Sequence, residues 1–332
     1  MIELSISVPA FAGLTWQRWQ RLVAAVDQLR FAGLFVSDHL IMPGRSDLDS
    51  LDTMVALTYL ADHSQHVHFG ALVSPLSFRE PIMLTRQALA LDQLSRGRMI
   101  LGVGAGYIER EHAMFGYDLG DVRTRIDRFE EGLHIINRLL RSDEPVTYEG
   151  RFYRLQEAVL RPRGYQPEGP KLLIGANGPR RTLPLVARYA DIWNPDTLTP
   201  AQFQERSALL DDLLRREGRE PSAVKRIVAL PVLCGRDATE LERRVAPYRL
   251  LLPDVANQPV KAVIARIHTI FPTTLVGSPD EVGSKIRAYA EVGVDGLVFK
   301  WFGLDDIEGL EIVAEHLLPH FAVSASKSKE AF

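Results

Sequence analysis

The sequence has 332 residues, and the 46% that are hydrophobic suffice for one large core. A net charge of -3 leaves no basic footprint for nucleic acid, and no run approaches the ~18 uninterrupted apolar residues of a membrane span. Cys234, the lone cysteine, allows no internal disulfide or thiolate cluster and suits a reducing cytoplasm. The opening Met1-Ile2-Glu3-Leu4 enters a strand-like stretch without a basic segment and apolar core behind it, so no secretory leader is expected.

In chain order, Leu4 to Val8 reads as a strand. Trp19, Leu22, Val23, Val26 and Leu29 then recur at three- and four-residue spacing, one face of a helix. Gly33 to Ser37 is apolar throughout, as a parallel strand buried on both faces requires. A helix from about Leu51 to Ala61 leads to a third strand, Val67 to Val73. A helix from Pro81 to about Leu94 follows, with proline in its first turn, and Arg98 to Val103 is the fourth strand. Ile126, Phe129, Leu133, Ile136 and Leu140 stripe a long helix over Val122 to Leu140, and Val146 to Leu160 reads as a hairpin about Glu149-Gly150.

Lys171 to Gly175 resumes the pattern, with a helix from about Arg180 to Tyr189 and a short strand at Ile192-Trp193. The next helix starts near Pro200 behind Thr199 as N-cap. Ile227 to Leu233 is a strand, and the stretch to about Pro272 is helical but irregular. Ser278-Pro279-Asp280-Glu281 opens another helix, and Gly296 to Trp301 is the last strand. Some eight strand–helix units without a break predict an α/β fold, a (β/α)₈ TIM barrel in one domain over residues 1–321, with loop insertions at its C-terminal face. A doubly wound open sheet is the alternative. The Ala-, Ser- and Lys-rich residues 322–332 are expected to fray.

A barrel of this kind builds its active site where strands end at the C-terminal face. Strand two ends in Ser37-Asp38-His39. An imidazole there can act as acid or base near neutral pH, with Asp38 available to orient it; the bland reading is a strand-end hydrogen bond that fixes the next loop. Strand three ends in Leu72-Val73-Ser74-Pro75, followed by Arg79-Glu80-Pro81, a rigid loop. Strand four ends in Gly102-Val103-Gly104-Ala105-Gly106-Tyr107, whose glycines would let backbone approach a flat ring or a phosphate, though the spacing is not that of a dinucleotide fingerprint.

Strand five ends in Gly175-Ala176-Asn177-Gly178-Pro179-Arg180-Arg181. Two arginines in the first turn of a helix oppose its dipole, so a bound anion is favoured over a plain turn. His66-x-His68, with His63, resembles the paired histidines of metal-dependent barrel hydrolases. The pair stands at the beginning of its strand, the structural end of a barrel, and is read as structural, with no metal expected. Trp16, Trp19, Trp193 and Trp301 read as core or rim residues.

Together these stretches resemble the luciferase-like monooxygenase superfamily from Leu4 to about Leu317. The resemblance rests on Ser37-Asp38-His39-Leu40, on Arg79-Glu80-Pro81, on Leu91 through Arg98 into Leu101 to Gly106, on Gly175 to Pro179, on Ala187 to Asn194, and on Val276 to Val282. It implies a barrel with a flavin or deazaflavin at its mouth and a homodimer. His39 would be proton donor or base, and Asp38 would serve catalysis and contact the cofactor. A non-prolyl cis peptide at Leu72–Val73, with Ser74, would back the ring. Gly104, Ala105 and Gly106, with Ala176, Asn177, Gly178, Pro179 and Arg180, would hold the side chain and phosphate, and Arg110 would contact cofactor.

The Ser-Asp-His-Leu run is more similar to the branch using coenzyme F420 than to the FMN enzymes. The expected activity is therefore hydride transfer between that deazaflavin and a small, apolar organic substrate. The alternatives are an FMN-dependent monooxygenase using O₂, a non-catalytic cofactor-binding relative and a metal hydrolase through His66 and His68. In the sugar-phosphate dehydrogenases of this branch a glutamate follows the strand-four glycines. Here Tyr107 takes its place, Glu109 and Glu111 read as out of register, and the substrate-phosphate lysines have no match. The loops 41–50, 107–120, 148–153 and 250–274 would shape the pocket, and Met42, Met114, Phe115, Phe271 and Trp301 lean it apolar.

Overall fold

The β-branched and apolar runs become eight parallel strands in a computed structural model that describes residues 2–41 and 48–321. The expected fraying of 322–332, and Met42, lie outside the described residues. The strands are β1 (Glu3–Val8), β2 (Gly33–Val36), β3 (His68–Ala71), β4 (Ile100–Gly104), β5 (Lys171–Gly175), β6 (Ile192–Asn194), β7 (Lys225–Cys234) and β8 (Gly296–Lys300). β1, β2 and β3 pair in chain order, as do β4 through β8, and β8 returns to β1 with Gly296 opposite Glu3. Between β3 and β4 the ring closes through Phe69 N–H, which donates to the Arg98 carbonyl at 3.1 Å, and through Ser74–Pro75, which pairs with Val103 and Gly104. The sheet is a barrel, and the open-sheet alternative is excluded.

The helices are α1 (Trp16–Gln28), α2 (Thr53–His63), α3 (Pro81–Ser95), α4 (Glu109–Phe115), α5 (Val122–Arg141), α6 (Thr182–Tyr189), α7 (Pro200–Arg216), α8 (Ala238–Leu251), α9 (Val260–Ile270), α10 (Pro279–Glu291) and α11 (Ile307–His316). Thr199 and Ser278 each start a helix with a reciprocal capping box, to Gln202 and Glu281. Alternation along the strands splits the core in two. Leu4, Ile6 and Val8 face outward against helical residues such as Trp19 and Leu22. Phe35, Ile100, Leu173, Ile192, Ile227, Ala229 and Val298 fill the barrel interior.

Two residues further along, the inward positions change character. Phe35 gives way to Ser37, Leu173 to Gly175, Ile192 to Asn194 and Val298 to Lys300, and Ile100 to Gly102 and then Gly104. The apolar filling therefore stops one layer short of the C-terminal ends, which leaves a shallow basin floored by small and polar groups. At the opposite end Arg98 staples the base by donating to the Ala61, Ser64, Val67 and Ser95 carbonyls and to the Ser64 hydroxyl. His68 lies at that end; burial and the nearby charges of Lys225 and Arg98 push its imidazole down to about 4, so it is neutral at physiological pH. Among the described residues no group of three or more His, Cys, Asp or Glu could hold a metal ion, and no helix is long and apolar enough to cross a membrane.

Three local expectations are corrected. Strand three was expected to reach Val73 but stops at Ala71, and Leu72–Val73 is a cis peptide. The helix expected from Arg180 begins at Thr182. Leu275–Gly277 is an additional strand beside the end of β7, too short to show a period. The hairpin (Val146–Glu149 with Arg154–Ala158) docks along α5, where the Glu131 carboxylate accepts from the Arg151 and Phe152 amides at 3.0 Å each.

Candidate active site at the mouth of the barrel

β2 delivers His39 to the mouth, where its partner is not the neighbouring Asp38 but Glu111. His39 Nδ1 lies 3.1 Å from Glu111 Oε2, and Glu111 Oε1 accepts from the Leu40 amide. Ile41 N–H donates to the same carboxylate. With Nδ1 facing a carboxylate, that nitrogen carries hydrogen, and Nε2 is left to take or give a proton. Phe11 and Tyr107 meet the imidazole edge-on, with ring centroids 5.6 and 5.8 Å away. Glu111 is 1% exposed. Burial pushes its carboxyl up, but the hydrogen bond and charge of His39 and the Leu40 and Ile41 amides outweigh that and leave it below the ordinary carboxylate range. Glu111, out of register with the family's glutamate in sequence, is carried back over the end of β2 by the short α4.

Asp38 does other work, because successive side chains along extended backbone point to opposite sides. Its carboxylate accepts from Arg79 Nε at 2.9 Å and Nη2 at 2.7 Å, and from the Ser74 hydroxyl at 2.6 Å. Burial alone would ease the proton off Arg79, but the hydrogen bonds and charge of Asp38, helped by Asp52, hold the guanidinium more firmly protonated. This buried fork ties the segment after the cis peptide to β2. It also explains Arg79-Glu80-Pro81 as a unit: Arg79 binds Asp38, Glu80 caps α3 through the Met83 amide at 2.7 Å, and Pro81 opens the helix.

The glycines at these strand ends pack tightly against neighbouring side chains. A Cβ on Gly104 would lie 2.7 Å from Val73 Cγ2, and one on Gly175 would lie 3.0 Å from it. Both residues make room for Val73, which sits over the interior cluster with Leu72. Gly106 has φ +81, and a Cβ there would meet the Ser77 hydroxyl at 2.1 Å. Ser77 in turn bonds His112 Nε2 at 2.7 Å, while His112 Nδ1 donates to the Ile108 carbonyl at 2.8 Å. That chain of bonds fixes the loop around Ala105.

After β5, Asn177 pairs reciprocally with the Asp196 backbone at 2.9 and 3.0 Å, and the Ala176 carbonyl accepts from Trp193 Nε1 at 2.8 Å. The arginines stand before α6 rather than in its first turn. Arg181 pairs with Asp127 of α5 at 2.7 Å, so the dipole argument for a bound anion does not apply to it. Gly178, Pro179 and Arg180 are exposed, as is Arg110 in the first turn of α4. Lys300, on an inward position of β8, pairs with Asp196.

Residues 4–296 match the family described as luciferase-like monooxygenase. The chain belongs to that family. It is an oxidoreductase of the luciferase-like type on the same (β/α)₈ barrel. One relative, an F420-dependent glucose-6-phosphate dehydrogenase from Microbacterium testaceum, is 28% identical over 306 residues, 88% of this chain and 90% of that protein. Among solved structures, coenzyme F420-dependent tetrahydromethanopterin reductase from Methanopyrus kandleri superposes with a TM-score of 0.76 at 19% identity, covering 96% and 99% of the two chains. A monooxygenase from Streptomyces bottropensis superposes with 0.79 at 22% identity, covering 97% and 100%. At these identities the structures speak for the fold.

In this luciferase-like barrel the basin fits a flat redox ring. Its inward strand ends are mostly small or polar, it has an apolar floor beneath with Val73 over it, and the pairs His39–Glu111 and Lys300–Asp196 border it. Sequence reasoning missed Glu111, Phe11, Asp196 and Lys300. Only the last carried a local signal, being two residues beyond Val298 on the inward face of its strand.

Proposed function

We propose that this luciferase-like protein uses coenzyme F420 to exchange a hydride with a small, largely apolar organic substrate. The observation that carries the reading is the pair of buried Glu111 with His39 beside a basin whose inward strand ends are mostly small or polar. The F420-dependent relative that matches over most of both chains favours the deazaflavin. When bound, that cofactor supplies a two-electron hydride carrier, and the protein supplies orientation and protons. Leu72, Val73 and Ser74 back the ring. Gly104, Ala105 and Gly106, the segment Ala176 to Arg180, and Arg110 hold the side chain and phosphate.

His39 Nε2 gives or takes the substrate proton, and Glu111 stabilises the imidazolium while that proton is stored. Asp38 serves by holding Arg79 and Ser74, and through them the wall behind the ring. Tyr107 in place of an acid argues against sugar-phosphate oxidation. A homodimer and a cytoplasmic location belong to the same reading, the former checked by light scattering.

Titration of apoprotein with reduced F420 and reduced FMN is the test. Tighter F420 binding, with His39→Ala lowering turnover at least about a hundredfold while the cofactor Kd holds, is the expected result. Tighter FMN binding with substrate-dependent O₂ consumption would overturn it in favour of a flavin monooxygenase. Binding without turnover over a broad substrate panel would leave a non-catalytic relative.

A further inference from the structure

Beside the end of β7 and the segment that follows β8 lies a second polar feature. Arg244 and Tyr248, one turn apart on α8, line a small cavity with Leu233, Trp301, Phe302 and Asp306. Arg244 is 5% exposed and Tyr248 3%. Arg244 Nη1 donates to the Glu240 carbonyl at 3.1 Å, but Nε, Nη2 and the Tyr248 hydroxyl have no hydrogen-bond partner among the described residues. The facing charges are few. Asp306 stands 3.5 Å from Nε, with its other oxygen capping α11 through the Gly309 amide, and the Glu240 carboxylate is held by Arg236 and its backbone amide.

A guanidinium so deeply buried, with Nε and Nη2 lacking hydrogen bonds, is costly unless something completes it. The open groups are two N–H donors and a phenol hydroxyl, so their complement is an acceptor, and a permanent cation selects an anionic one. Asp306 already offsets part of the charge, so no more than a single further negative charge fits. The cavity has room for about one water-sized sphere, ≈ 10 Å³, too little for a phosphate, so a carboxylate would place one oxygen in it. Leu233, Trp301 and Phe302 form apolar walls, and the segments that carry them end at the same C-terminal face as β2 and His39.

We propose that the Arg244–Tyr248 cavity anchors the carboxylate of an apolar organic-acid substrate. The word substrate rests on the oxidoreductase reading; the carboxylate site itself does not. Calorimetric titration of the cofactor-free protein with hexanoate, 1-hexanol and sodium chloride, in a buffer free of other small anions, tests it. Hexanoate should bind one to one, at least about tenfold more tightly than hexanol, with chloride no substitute. Arg244→Met should weaken hexanoate at least about tenfold. Tyr248→Phe, which removes only the hydroxyl, should weaken it about threefold with the thermal midpoint retained.

Equal binding of hexanol, hexanoate binding untouched by both substitutions, chloride saturating the site alone, or no hexanoate binding at all would each overturn the proposal. The last result would leave an ordered water as the occupant. Hexanoate binding without F420 or FMN binding would sink the proposed hydride transfer and leave this site standing, and the converse would do the reverse.

Discussion

Replacing Glu111 by alanine leaves three donors without an acceptor at a site 1% exposed: the His39 ring and the Leu40 and Ile41 amides. A buried donor left unsatisfied costs on the order of 1 kcal/mol or more, so Glu111→Ala should lose about 3 kcal/mol of stability. Glu111→Gln keeps one acceptor for the amides and gives up only the charge-assisted component, about 1.5 kcal/mol. The two differ further with pH. The Glu111 carboxyl is depressed in the folded protein, so its contribution is fully present above the value of the unfolded chain and is lost as pH falls through the folded value. Urea unfolding of wild type and Glu111→Gln should show the gap near pH 7 and its progressive narrowing as the pH falls below the ordinary carboxylate range. Equal urea midpoints for wild type and Glu111→Ala at neutral pH, or a wild-type advantage over Glu111→Gln that persists in acid, would refute the assignment of this carboxylate as the anchor of the His39 segment.

Arg79→Met strands Asp38 as a buried unpaired carboxylate and should cost about 3 kcal/mol, much of it recovered when Asp38→Asn is added; an additive double-mutant cycle in urea would contradict the pairing. Gly104→Ala pushes a methyl to 2.7 Å from Val73 Cγ2 and should destabilise by about 1–3 kcal/mol, with Val73→Ala relieving the clash, so the two should couple favourably in thermal melts. Arg98→Met removes five hydrogen bonds at the base of the barrel and should cost about 2–4 kcal/mol, with cofactor affinity at the far mouth unchanged by fluorescence titration.

Periodicity and turn chemistry are written locally, and there the sequence was legible. The eight barrel strands, the capped starts at Thr199 and Ser278, the proline opening α3 and the hairpin could all be read from residues near one another. The motif Ser37-Asp38-His39 marked the right corner of the barrel because strand ends converge on one face whatever their neighbours. The short strand Leu275–Gly277 was not legible in the sequence.

The amino-acid order by itself determined a run of eight β/α units with an imidazole at a strand end, because both follow from short-range patterns repeated along the chain. Which carboxylate holds that imidazole, what the glycines make room for, and that Arg244 and Tyr248 share an incomplete pocket were decided only by tertiary structure. Asp38 is one residue from His39 and faces away, while Glu111 is 72 residues distant and touches it at 3.1 Å. Side-chain direction and the return of a distant helix are set by the packing of the whole barrel, and no local window of sequence contains them.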